Sequence, residues 1–440
     1  MTGAARVIRG RVLSFADDPA LSGSRAHVLI DDGAVLVAGG LIQAVGETRD
    51  ILSRAPEGAL IDDHAGSFIM PGFIDAHVHY SQTQVIGSHG AQLLDWLTNY
   101  TFVEEQKFAD PAHCARAADF FLDELIRSGT TTAMVYCTVH PQSVDAFFAA
   151  AEARVMRMIA GKVMMDRDAP TALMDTAQQG YDESKALIER WRGRGRLDYA
   201  ITPRFAVTST EAQLDAAGAL KREFPQLYVQ THANENKAEI ARVAALFPEA
   251  QSYIDVYARA GLLGPRSVFG HCIHLQESEI AALAESRSVA AFCPTSNLFL
   301  GSGLFDQARL ARAGVRIALA TDVGGGTSYS MLRTAAEGYK VLQLNGQSWP
   351  ALEAFYRMTL GNARALSLDD RIGSIEPGKE ADLIALDPRA TPALAHRLET
   401  AGGNLEVELF ALLALGDDRA VRQTYVAGEP RKDAPSSPSA

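Results

Sequence analysis

Between Pro71 and about Leu366, eight short apolar segments alternate with segments of helical period, and that rhythm constrains the fold more than any other feature. The apolar runs fall at 73–79, 130–137, 156–163, 197–205, 227–232, 267–272, 288–293 and 316–322. Helical patterns lie between most of them, for example at 112–127, 184–192, 235–247 and 277–285. Strands that are apolar on both faces are covered on both sides, and strands separated by helices pair in parallel. Eight such units predict an α/β fold, a (β/α)8 barrel of the TIM type, over residues 71–370.

The flanks carry a different pattern. Residues 1–70 read as short strands, with a β-rich run at 5–15 and a hairpin over 34–46 that turns at Gly39-Gly40. Short β-like pieces return within 371–430, at 372–375, 381–386 and 422–426. Pairing the two flanks gives a small β-sandwich domain built from both termini. The stretch 431–440 is rich in Pro, Ser and Ala, which cannot build a core, and is expected to be a disordered tail.

Charge and cysteine content exclude several function classes. A net charge of −12 argues against nucleic acid and against an anionic membrane surface, both of which need a basic face. No apolar run is long enough to span a bilayer, and residues 1–25 lack the apolar stretch of a signal peptide. Cys114, Cys137, Cys272 and Cys293 form no Cys-x-x-Cys pair, so neither a disulfide framework nor a zinc ribbon is expected, and the simplest location is cytoplasmic.

The first barrel strand ends in Phe73-Ile-Asp-Ala-His77-Val-His79. Strand alternation sends Asp75, His77 and His79 to one side, the barrel interior. Two buried imidazoles need a partner, and a divalent metal accepts both. Further ionisable residues close later strands: His232 the fifth, His271 the sixth and Asp322 the eighth. Alone, each reads as a hydrogen-bonded core residue or a helix cap. Together they converge on the C-terminal face, where barrel active sites lie. The connection from Tyr80 to Pro111, about 30 residues, carries Leu93, Leu94, Trp96, Leu97, Tyr100 and Phe102. It is too apolar for disorder and reads as a lid over that face, a dimer contact, or both.

The HxH followed by His, His and Asp at later strand ends resembles the amidohydrolase superfamily. Within it, Pro71-Gly-Phe-Ile-Asp-Ala-His77-Val-His79-Tyr-Ser-Gln82, the 93–102 stretch, Thr202-Pro-Arg204-Phe205, Thr231-His-Ala-Asn-Glu-Asn236, Cys293-Pro-Thr-Ser-Asn-Leu298 and Thr321-Asp-Val-Gly-Gly-Gly-Thr327 are similar to the guanine deaminases. The likeness runs from about residue 5 to 428 and departs from the family at Val207, where Pro is usual, and at Ala233-Asn234. It implies hydrolysis of guanine to xanthine and ammonia in purine catabolism, in a cytoplasmic homodimer. One Zn2+ per chain would be held by His77, His79, His232 and Asp322, lowering the pKa of water from about 16 towards about 7. Asp322 would take the water's proton, and His271 would orient the nucleophile and stabilise the tetrahedral carbon. Glu235, otherwise readable as a helix N-terminal carboxylate, would protonate ring N3 and help deliver a proton to the leaving amine. Gln82 and Arg204 would donate to O6 and N7, with Phe205 as a wall or backbone contact. The Gly324-Gly-Gly326 run is read as close packing beside the metal, not as a phosphate loop.

Three alternatives remain at this stage. They are a deaminase of 8-oxoguanine, cytosine or a triazine, a binuclear cyclic-amide hydrolase of the hydantoinase type, and a non-enzymatic scaffold. The binuclear class needs a lysine ending the fourth strand, which here ends Ile201-Thr-Pro-Arg204; Lys162, ending the third, is the residue to check.

Overall fold

The computed structural model describes residues 4–90 and 92–432. Four strands precede the barrel: β1 (Arg6–Phe15), β2 (His27–Ala38), β3 (Leu41–Glu47) and β4 (Leu60–Pro71). The β2–β3 turn is the two residues Gly39-Gly40, both at positive φ (60° and 81°), the backbone that a two-residue hairpin needs to match strand twist. The barrel strands are β5 (Phe73–His79), β6 (Thr130–Tyr136), β7 (Arg157–Gly161) with the short continuation β8 (Val163–Met164), β9 (Asp198–Pro203), β10 (Tyr228–Ala233), β11 (Ser267–His271), β12 (Val289–Phe292) and β13 (Arg316–Leu319). They pair in parallel in chain order. Three more strands follow, β14 (Leu383–Leu386), β15 (Val421–Val426) and β16 (Glu429–Pro430).

The terminal strands form one sheet in the order β16-β15-β14-β4-β1-β2-β3. It curls, so that residues from both ends, among them Ile42, Val37, Leu383 and Tyr425, share one buried cluster. The segment leading into β14 reaches the β2–β3 turn, where Ala381 N–H donates to the Gly40 carbonyl at 2.9 Å.

The barrel closes between β13 and β5 by a seam made largely without strand pairing. Asn362 supplies three of its hydrogen bonds: its amide donates to the carbonyls of Ile74 (2.6 Å) and Leu319 (2.7 Å) and accepts from Leu319 N (2.8 Å). Beyond the end of β13, Asp322 N donates to the His77 carbonyl (2.9 Å) and His79 N to the Val323 carbonyl (2.7 Å). Asp75 completes the closure by accepting from Thr321 N at 3.0 Å and from the Thr321 hydroxyl. This seam locks the first and last strand ends, and so two proposed ligand segments, to each other.

Three expectations need correction. Residues 372–375 form no strand; Ile372 and Ile375 are buried side chains of an irregular segment, and Ile375 N is held by the Ser14 hydroxyl at 2.8 Å. The stretch 371–430 is not purely β, because helices Pro392–Arg397 and Leu405–Leu415 lie within it, the latter packed on helices Met331–Leu344 and Ala351–Tyr356. Leu405–Leu415 is apolar nearly all round, so it carries no stripe to reveal its helical period. The long connection 80–111 is wound, with helical turns from Leu93 through Ala109 that include a π-turn at Leu97–Thr101. Of the expected tail 431–440, residues from 433 onward lie outside the described residues. Among the described residues no helix is long and apolar enough to cross a membrane.

Candidate metal centre

β5 delivers its histidines from a strand with a register shift between Asp75 and Val78, so the expected strict alternation is interrupted there. Such bulges re-aim side chains next to active sites. Asp75 turns to Thr321, away from the cluster, while His77 and His79 converge with His232 from the end of β10 and Asp322 from just beyond β13. His79 Nε2 and His232 Nε2 are 3.2 Å apart, and Asp322 Oδ1 lies 3.3 Å from His77 Nε2 and 3.4 Å from His79 Nε2.

This donor set fits a metal ion and little else. His232 Nδ1–H donates to the Arg204 carbonyl at 2.7 Å, which leaves Nε2 as a bare lone pair aimed at the cluster. His79 Nε2 could donate to that lone pair only as the Nε2–H tautomer, which leaves its buried Nδ1 without a partner, and neither ring nitrogen of buried His77 makes a hydrogen bond among the described residues. Leaving such groups unpaired costs about 1–3 kcal/mol each, so a divalent cation is the partner that satisfies the group as a whole. Burial holds His79 down at about 4 and His232 well below the usual imidazole range, so both are neutral and able to act as ligands. The His77 and His79 contacts hold Asp322 well below the carboxylate range despite its burial, so it is ionised. Tyr136, at the end of β6, stacks on His79 (centroids 4.4 Å apart) and also touches His77 and His232, fixing the rings from beneath.

Close approach is essential at Gly270 in β11. A Cβ there would lie 2.6 Å from His77 Cε1. Gly270→Ala is therefore expected to push the ring aside and weaken metal binding by about 10–100-fold, measured by competition with a chromogenic chelator. Wild-type affinity would contradict the packing argument. The glycine run packs as closely: a Cβ at Gly324 would meet the Gln82 carbonyl at 2.6 Å, and one at Gly325 the Ser296 hydroxyl at 2.7 Å.

Two acid–base candidates stand beside the cluster. His271 Nδ1 bonds Asn297 Oδ1 at 2.9 Å, and its Nε2 lies 3.3 Å from Glu235 Oε2 and 3.8 Å from Asp322 Oδ2. Burial and the nearby Asp322 charge push Glu235 up to about 8, which favours the protonated carboxyl; the Ser302 hydroxyl donates to Oε1 at 2.9 Å. Glu235 is not the helix-capping carboxylate. The following helix, Lys237–Leu246, is capped by Asn236, and it is Glu239 that accepts from the backbone N–H of Glu235 (2.9 Å) and Asn236 (3.0 Å). Nor does Asp322 cap the next helix, which starts at Met331 behind Ser330. Asn234, His271 and Asp322 all sit at positive φ (54°, 69° and 51°), rare for residues with a side chain and concentrated here at the strand ends.

Gln82, Arg204, Phe205, Glu235 and His271 line one cavity with His79, His232 and Asp322, under a cover of Leu93, Trp96 and Leu97 from the 80–111 segment. Arg204 is no surface residue: it is 2% exposed and ion-paired through Nη1 to buried Glu105. Lys162 lies away from the cluster, paired to Asp175 and Glu183. Sequence reasoning missed Glu105, Asn297, Ser302 and Glu239. The Cys293-Pro-Thr-Ser-Asn-Leu298 motif held Asn297 in plain view, and the acidic pair Glu104-Glu105 stood out in an apolar stretch.

A parallel barrel with three histidines and an aspartate at the C-terminal ends of its strands defines a metal-dependent hydrolase scaffold. The Amidohydrolase family model matches residues 68–431, and the chain belongs to that family. It is 49% identical to the guanine deaminase of Escherichia coli (strain K12) over 399 residues, 91% of each chain. Among solved structures it is similar to guanine deaminase from Bradyrhizobium japonicum (TM-score 0.93, 36% identity). It is also similar to guanine deaminase from C. acetobutylicum with bound guanine (TM-score 0.86, 27% identity). Each comparison covers 97% of this chain and 99% of the other.

Proposed function

We propose that this chain is a zinc-dependent guanine deaminase that converts guanine and water to xanthine and ammonia. The observation that carries the reading is the meeting, in one cavity, of a three-histidine, one-aspartate donor set with the buried carboxyl of Glu235 and the donors of Gln82 and Arg204. The first half defines a hydrolase; the second matches the acceptor edge of a 6-oxopurine. Identity of 49% to a guanine deaminase over 91% of the chain supports that substrate. One zinc per chain fits the four donors; Lys162 is committed to Asp175, and the described residues that line the cavity include no lysine to bridge a second ion.

Zinc bound by His77, His79, His232 and Asp322 supplies the Lewis acidity that makes water nucleophilic near neutral pH. Asp322, ionised and with Oδ2 turned towards His271, takes the proton that water gives up. Oxygen bonds to C2 of the purine as Glu235 hands its proton to N3. His271 Nε2, between the two carboxyl groups, positions the new hydroxyl. When the C2–N bond breaks, the proton held by Asp322 goes to the leaving nitrogen and the hydroxyl proton returns to Glu235. Ammonia leaves, xanthine remains, and both carboxyl groups are reset. Arg204 and Gln82 donate to O6 and N7, so adenine, with a donor at position 6, would leave them unpaired at a cost of about 1–3 kcal/mol.

Activity needs Glu235 protonated, so kcat/KM is expected to fall as pH rises through its pKa. That limb lies at or below about 8, because a bound cation favours the carboxylate. A pH profile flat through this range would remove Glu235 as the acid. The substrate test is incubation of metal-loaded protein with guanine, 8-oxoguanine, cytosine and a triazine, following the ultraviolet spectrum and ammonia. Guanine should be turned over fastest by at least about a hundredfold; faster turnover of another base would reassign the enzyme. The same reading takes the protein as a cytoplasmic homodimer, and sedimentation of the purified chain tests its oligomeric state.

A further inference from the structure

Glu105 is fully buried and does not line the cavity, yet it grips both groups proposed to read the purine edge. Its two oxygens accept from Arg204 Nη1 at 2.9 and 2.7 Å. Oε1 also accepts from Gln82 Nε2 at 3.2 Å and from the Ser81 hydroxyl at 3.4 Å. Donors from the ends of two barrel strands thus meet one carboxylate carried by the 80–111 segment.

Two consequences follow. The first is orientation. Gln82 Oε1 accepts from Gly324 N at 3.2 Å while one Nε2 hydrogen goes to Glu105, so the amide cannot flip and its other hydrogen is free for the ligand. Arg204 gives Nη1 to Glu105, which leaves Nη2 and Nε as its remaining donors, and its guanidinium lies over the Phe102 ring at 5.5 Å. The edge therefore presents donors in one arrangement. The second is charge. A buried guanidinium without a counter-ion would be a strong anion trap; paired with Glu105, it donates hydrogen bonds as one half of an ion pair that has no net charge. Guanine is neutral in the working range, whereas xanthine is more acidic and loses a ring proton near neutrality.

We propose that Glu105 is a positioning residue that orients Gln82 and Arg204 and cancels the Arg204 charge, so that the site accepts a neutral 6-oxopurine and does not retain its anionic product. The inference rests on the guanine reading above. Its test is the ratio of the inhibition constant of xanthine to KM for guanine, measured on metal-loaded enzyme. In the wild type this ratio should not fall as pH rises from about 6 to about 8, across the ionisation of xanthine. In Glu105→Gln it should be about tenfold lower or more at the upper pH, with KM raised, kcat within about threefold and bound metal unchanged. Glu105→Asp, which keeps the charge but shortens the reach, should raise KM and leave the ratio near the wild-type value. A loss of packing alone would move neither the ratio nor its pH dependence. If Glu105→Gln does not fold, the wild-type pH series and Glu105→Asp decide. Xanthine binding that tightens with pH in the wild type, or a ratio unmoved in folded Glu105→Gln, would overturn the inference. Absence of guanine turnover by the wild type would instead overturn the substrate reading, and this inference with it.

Discussion

Asp322→Ala protein is expected to lose activity by about ten-thousandfold or more, because one side chain is asked to serve two purposes. Asp322 Oδ1 faces His77 and His79 as the anionic donor of the cluster, and Oδ2 faces His271, where the proposed mechanism has it accept the water's proton. Removing it leaves three neutral imidazoles and weakens the hold on a dication. It also removes the base. The two losses separate experimentally. Excess zinc in the assay should restore bound metal to Asp322→Ala while kcat stays low, since added metal replaces a missing ligand but not a missing base. Full rescue by zinc would reduce Asp322 to a ligand alone.

Glu235→Gln is the second large effect, expected to lower kcat by about 10²–10⁴-fold with zinc content unchanged. Glutamine keeps the shape and can still accept from the Ser302 hydroxyl, but it has no acidic proton to give N3. The loss corresponds to about 3–5 kcal/mol of transition-state stabilisation. The alkaline limb of the pH profile should vanish with the side chain. Metal analysis, kcat and the pH profile of this one variant are enough, and retained activity with the limb intact would assign the proton to another group. His271 Nε2, at 3.3 Å from Glu235 Oε2, would be the first candidate.

The barrel and its ligand-bearing strand ends were legible in the sequence for a physical reason. Strands buried on both faces must be apolar, so an ionisable residue at the end of one is conspicuous: His77 and His79 after Phe73-Ile, His232 after Val229-Gln-Thr, Asp322 after Ala318-Leu-Ala-Thr. Period and composition are local, and these signals are local too. What escaped was non-local or lacked a stripe. The Glu105–Arg204 pair joins residues 99 positions apart, and nothing in either segment announces the other. Asn297, in the short helix Pro294–Phe299, orients His271 across 26 positions, and Ser302, in the loop that follows, holds Glu235 across 67. Asn362 stitches the barrel seam from a short helix after β13, a role that exists only once the barrel has closed. The helix Leu405–Leu415 hid for the opposite reason, being apolar at nearly every position.

Glu235 shows why local reading can also mislead. Three residues after His232 and just before a helix, it looked like a carboxylate at a helix N-terminus, but that place is taken by Glu239, four residues on. With the cap supplied by Glu239 and Asn236, the Glu235 side chain is free to face His271 and Ser302. Such a division of labour between two nearby acids rests on burial and geometry that spacing does not encode.

In the proposed reaction, water activated at the His77, His79, His232 and Asp322 site replaces the C2 amino group of guanine. The most direct test is a reaction of zinc-loaded protein with guanine in water labelled with heavy oxygen, with xanthine analysed by mass spectrometry and ammonia measured in parallel. One labelled oxygen is expected in each xanthine, located at C2, with one ammonia released for every guanine consumed. Unlabelled xanthine, label at another position, or no reaction with guanine in protein that carries its zinc would contradict the proposed reaction.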